Sequence, residues 1–106
     1  MNITDIRIRK TYHDARLKAL VSVTIDGDLA VHDIKIIQGP ERLFVAMPSR
    51  RDENGTFRDI AHPITSAARQ ELEEAILRQY DQYLAGLAAQ TQTLPGPLGL
   101  DSVQGE

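Results

Sequence analysis

Apolar and polar residues take turns through most of the first sixty positions of this chain. Ile6 and Ile8 are separated by Arg7 and followed by Arg9, the two-residue period of a strand with one buried face. Leu17, Ala19, Val21, Val23 and Ile25 keep strict alternation and predict the clearest strand. Between these two runs, Tyr12-His13-Asp14-Ala15 is polar enough to turn. Asp26-Gly27-Asp28 predicts a hairpin, because glycine accepts positive φ without a Cβ clash. The next run breaks phase: Leu29 and Val31 share one parity, Ile34 and Ile36 the other. A bulge at His32-Asp33 would keep both pairs on one face. Gln38-Gly39-Pro40-Glu41 turns the chain again. Leu43 to Met47 is apolar throughout, which predicts a strand covered on both faces. Asn54-Gly55 marks a further hairpin, with Phe57 to Ala61 as its short returning strand.

The period changes after Pro63. Ala68, Leu72, Ala75, Ile76, Gln79, Tyr83 and Leu84 fall on one face of a helix. Thr65 or Ser66 is placed to cap it, and Glu71, Glu73 and Glu74 lie toward its positive end. Gly86 loosens the pattern, which Leu87 to Gln92 can continue. The remainder, L-P-G-P-L-G-L-D-S-V-Q-G-E, is rich in Gly and Pro and predicts a poorly ordered tail. The prediction is an α+β domain over residues 1–86: an antiparallel meander of about five short strands, packed in two layers against one long C-terminal helix. Residues 87–106 make a helix extension and tail. One sheet and one helix form a thin core, so a homodimer joined through strand edges is expected.

Composition narrows the function classes. The chain has 106 residues and no cysteine, which excludes disulfides and cysteine-based zinc sites. No apolar run approaches a membrane span and no signal peptide is visible, so a soluble cytoplasmic protein without a membrane partner is expected. Net charge is −3, but it is unevenly spread. Residues 1–62 carry ten Lys/Arg against nine Asp/Glu, whereas residues 63–106 carry two against six. A basic surface is therefore confined to the first part of the chain.

Catalytic and metal chemistry find little footing. His62 with Asp59, or His32 with Asp33, offers a base and an orienting carboxylate, but no nucleophile has a recognisable setting. The plain reading of His62 is a ring packed or hydrogen-bonded at the sheet–helix junction. The histidines at 13, 32 and 62 lack metal-ligand spacing, and Gly39 and Gly55 are isolated turn glycines rather than a phosphate loop. No catalytic residue, cofactor, metal or small-molecule substrate is assigned. The arginines are the better candidates. Arg50 and Arg51 on a loop, Arg58 on the returning strand and Arg69 early in the helix present guanidinium forks suited to phosphate oxygens. Charge alone favours a plainer reading, in which Arg50, Arg51, Asp52 and Glu53 solvate one another.

The phrase L-F-V-A-M-P-S-R-R-x-x-x-G-x-F-R-D-I-A-H-P-I, residues 43–64, resembles the signature of the SpoVG family, bacterial regulators of septation and sporulation. V-H-D-I-K-I-I at residues 31–37 and I-T-D-I-R-I-R-K at residues 3–10 are similar to two further strands of that family. The resemblance runs from about residue 2 to Tyr80 and leaves out the tail. It implies a small dimerising α+β domain that binds DNA, and RNA in some members. It also implies that the stretch after H-P-I makes the contact. There the family commonly reads S-T-R-G-K-I-Q, and this chain has Ala67-Ala68-Arg69-Gln70-Glu71-Leu72-Glu73. Arg69 is kept, while Gln70 and Glu71 replace a glycine and a lysine. The expectation is a dimeric nucleic-acid-binding regulator that uses Arg50, Arg51, Arg58 and Arg69 on phosphates and Gln70 on a base edge or sugar. The alternative is a protein–protein adaptor in septation that uses the same arginine hairpin.

Overall fold

Alternation along Leu17–Ile25 makes the central strand of the sheet. The structure, a computed structural model, describes residues 1–93. β1 (Ile3–Thr11), β2 (Leu17–Ile25), β3 (Leu29–Gln38) and β4 (Leu43–Ala46) form one antiparallel sheet in the order β1-β2-β3-β4. A separate two-stranded hairpin follows, β5 (Ser49–Arg51) with β6 (Phe57–Asp59), and then one helix, α1 (Ser66–Thr93). The architecture is α+β: a four-stranded meander and a small second sheet, with one C-terminal helix packed on the meander. No helix among the described residues is long and apolar enough to cross a membrane. The predicted Gly/Pro-rich tail lies outside the described residues.

Local chemistry explains the turns. Asp26 and Gly27 have φ of 57° and 69°, and the Asp28 N–H donates to the Ile25 carbonyl at 3.0 Å. This is a β-turn whose two central residues both take positive φ, set within the three-residue connection Asp26-Gly27-Asp28. The phase break in β3 is a bulge. Val21 faces Ile34 and Val23 faces Val31, so His32 and Asp33 together stand opposite Ser22. Asp33 takes φ 63°, a conformation that costs a non-glycine residue about 1 kcal/mol. The bulge returns Ile34 and Ile36 to the inner face, where both are fully buried. β1 has register shifts of its own, leaving Thr4 and Arg9 as extra residues relative to β2.

The core joins Ala19, Val21, Val23, Ile34, Ile36, Val45 and Met47 to Leu72, Ile76 and Tyr80 of the helix. The helical contributors are spaced four apart, so they form one narrow stripe. Ala68, Ala75 and Gln79 flank it half-buried, but Tyr83 and Leu84 are 37% and 40% exposed. The predicted apolar face therefore extends beyond the sheet. Tyr80, which the periodicity left out, closes the packed region instead.

β4 also differs from expectation. The chain leaves the sheet at Met47-Pro48, and Pro48 has no N–H to continue a ladder. The hairpin is consequently a sheet of its own. The outer edge of β4 is occupied from within: Glu73 Oε2 accepts the Val45 N–H at 3.1 Å, and its Oε1 pairs with Arg42 at 3.3 Å. A carboxylate on an edge-strand N–H blunts that edge against further pairing.

Candidate nucleic-acid interface

The hairpin is organised by Asp52. Its Oδ1 accepts the N–H groups of Asn54 and Thr56 at 2.9 and 3.0 Å, and its Oδ2 accepts the Arg58 Nε–H at 2.8 Å. Aspartate two residues before the turn centre is well suited to this self-bonding. The Gly55 N–H closes the turn on the Asp52 carbonyl at 3.0 Å. Gly55 has φ 82°, and Arg51 lies against it, with Nη2 3.4 Å from where a Cβ would stand. A side chain at this position would be strained.

The Arg58 guanidinium, with the Thr56 and Asn54 N–H groups behind it, holds the Asp52 carboxyl below the usual carboxylate range. A carboxyl whose folded value lies below its unfolded value contributes fully above the unfolded value and loses that contribution as pH falls through the folded one. The amide proton shifts of Asn54 and Thr56 should therefore titrate with a midpoint below the usual carboxylate range. A midpoint in the ordinary range would mean that these bonds do not hold the loop in solution.

Arg50 and Arg58 face each other across the ribbon, Ser49 faces Asp59, and Arg51 faces Phe57. Two guanidinium groups directly opposite repel. Asp52 relieves the repulsion by taking Arg58 at 2.8 Å. The ion pairs among the described residues engage Met1, Arg7, Arg42 and Arg58. Arg50, Arg51 and Arg69 have none, and all three are exposed.

Arg50, Arg51 and Arg58 line one open depression with Asp52, Glu53, Asp59 and Ile60. Arg69 and Gln70 do not join it. They belong to the first turns of α1, where Thr65 caps the helix by accepting the Ala68 N–H at 3.0 Å. The Gln70 amide donates to Glu74 at 3.2 Å, and the residue lines a polar groove with Asn2, Glu71, Glu74 and Arg78. The helix packs on β1 and β4, not extensively on the hairpin. The candidate residues thus form two groups, the hairpin trio and the helix pair.

His62 and His32 are hydrogen-bonded to neighbouring groups rather than paired with a carboxylate. His62 Nδ1 lies 3.1 Å from the Pro63 carbonyl, and its ring borders an apolar cavity of about 180 Å³ with Met47 and Leu72. His32 meets Ser22 rather than using Asp33 as an orienting partner. No group of three or more His, Asp or Glu that would suit a metal ion occurs among the described residues. Sequence reasoning named Asp52 only as a neighbour solvating the arginines, and gave no site role to Glu73 or Ser22. The first had a local signal in its spacing to Asn54, and the other two had none.

A match to the SpoVG family spans residues 1–82. The chain belongs to the SpoVG family. It is 54% identical over 82 residues to the "Putative septation protein SpoVG" of Staphylococcus carnosus (strain TM300), a span covering 77% of each chain. It is 52% identical over 82 residues to the proteins of the same name in Staphylococcus aureus (strain JH9) and Staphylococcus haemolyticus (strain JCSC1435), covering 77% of this chain and 82% of each relative. The SpoVG match ends within α1, so residues 83–93 extend the helix past it. Both groups of candidate residues fall inside the matched region.

Proposed function

We propose that this SpoVG-family chain is a homodimeric, non-catalytic regulator in septation or development that binds DNA or RNA. The observation that carries this reading is the pair Arg50 and Arg51, exposed on a braced hairpin with no carboxylate partner among the described residues. A guanidinium without an internal partner keeps its full set of donors for phosphate. Arg69 adds a third, beside a helix N-terminus, itself favourable to anions. Gln70 is the candidate for a base edge or sugar. The reading needs no cofactor, metal, membrane or small-molecule substrate. A salt titration of binding to a short duplex and a matched single strand tests it. Affinity should fall linearly on logarithmic axes as salt rises. Absence of binding near physiological salt would hand the surface to a protein partner. The exposed Phe57 and Ile60 beside the arginines favour that second reading.

The dimer is proposed to form through β1. Glu73 already occupies the Val45 N–H of the opposite edge, whereas the stretch of β1 between its two irregularities is regular. Light scattering at micromolar concentration should give twice the 11.8 kDa chain mass. A monomer across that range would remove the paired surface from the reading.

A further inference from the structure

The face of the sheet turned away from α1 carries a second cationic cluster. Ser22 is 6% exposed, the only buried polar residue among those described. Its hydroxyl oxygen accepts the Arg9 Nε–H at 3.1 Å and lies 2.8 Å from His32 Nδ1. Both partners sit at irregularities of the flanking strands. Arg9 is the extra residue in β1, and His32 is one of the two bulge residues opposite Ser22 in β3. One serine therefore gathers a side chain from each neighbouring strand. It engages only the inner nitrogen of each, leaving both terminal nitrogens of Arg9 and Nε2 of His32. Sharing one oxygen keeps the two inner nitrogens within about 6 Å of each other.

The surroundings favour an anion. Arg9 and His32 are exposed, and Arg9 meets no carboxylate among the described residues. Arg7, which faces Ser22, is held by Asp5 at 2.8 Å. Lys10 and Lys35 stand on either side of Leu20 in the adjoining row of the same face. These cations spread over neighbouring strands of an open sheet, an arrangement that suits a polyanion with regularly repeated charge. V-H-D-I-K-I-I supplies His32, the bulge and Lys35, none of which the hairpin reading uses.

We propose that Arg9 and His32, positioned by Ser22, bind a backbone phosphate of a single-stranded polynucleotide lying across this face, with Lys10 and Lys35 beside the adjoining phosphates. The guanidinium fork and imidazole N–H supply the donors such a phosphate requires. This rests on the nucleic-acid reading above but uses none of the hairpin residues.

The three histidines supply the test. The full chain is titrated with a short single-stranded oligonucleotide while the imidazole signals are followed by NMR. His32 should shift saturably while His13 stays still. Arg9→Gln should weaken binding about fivefold and lower the salt slope by about one unit per binding site. Ser22→Ala should weaken binding although it removes no charge, and Ser22→Thr should retain it. Arg9 is exposed, so Arg9→Gln stays informative even if Ser22→Ala folds poorly. If His32 stays still and Arg9→Gln binds like the parent while hairpin variants lose binding, this inference fails and the hairpin reading stands. If Arg9→Gln loses binding while hairpin variants keep it, this inference holds and the hairpin reading fails. If polyglutamate at equal charge shifts His32 as far as the oligonucleotide does, the face is a surface for acidic proteins and the inference fails. If no strand binds, both readings fall.

Discussion

Ile76→Ala should destabilise the fold by about 3–4 kcal/mol, the cost of removing a buried aliphatic side chain and leaving a cavity. Ile76 is fully buried in the middle of the helical stripe, with Leu72 and Tyr80 one turn to either side. The core it belongs to is small, and domains of this size have only about 5–15 kcal/mol of stability in all. Urea unfolding should show a clearly lower midpoint with an unchanged slope. Leu84→Ala is the control. Leu84 is 40% exposed, beyond the packed part of the helix, and its truncation should cost less than about 1 kcal/mol. Equal losses at the two positions would mean that α1 does not dock through this stripe. The position of Arg69 and Gln70 would then be undefined as well.

Replacing Arg50 and Arg51 together by alanine should weaken polynucleotide binding by an order of magnitude or more near physiological salt. Each lost phosphate contact should reduce the salt slope by about one unit, and a dimer carries every substitution twice. The fold should survive, because both side chains are exposed and no ion pair depends on them. Arg58→Ala should act differently. It frees Asp52 from its strongest partner and loosens the turn, so its effect mixes lost charge with lost order. Arg69→Ala should weaken binding through charge alone, and Glu71→Lys should strengthen it. Gln70→Ala should alter sequence preference more than salt dependence. If the double variant and Arg69→Ala both bind like the parent, neither group of candidate residues is the interface.

The alternation of Leu17 to Ile25, the phase break at His32-Asp33 and the switch of period after Pro63 were enough to predict the meander, its bulge and the helix. Each is a pattern among near neighbours, and the backbone geometry of strands and helices converts it directly into a face. The extent of the buried face was not local. Tyr83 and Leu84 fit the helical period, yet the sheet does not reach them. The site divides in the same way. Arginines flanking a turn were legible as a cationic hairpin, and Asp52 was within reach because its partners lie two to six residues away. Glu73 on Val45 and the meeting of Arg9 and His32 at Ser22 join residues 10 to 28 positions apart. Those contacts depend on strand order, register and the placing of two irregularities. No periodicity within one element encodes them, so only the assembled sheet and helix decided which polar groups would meet.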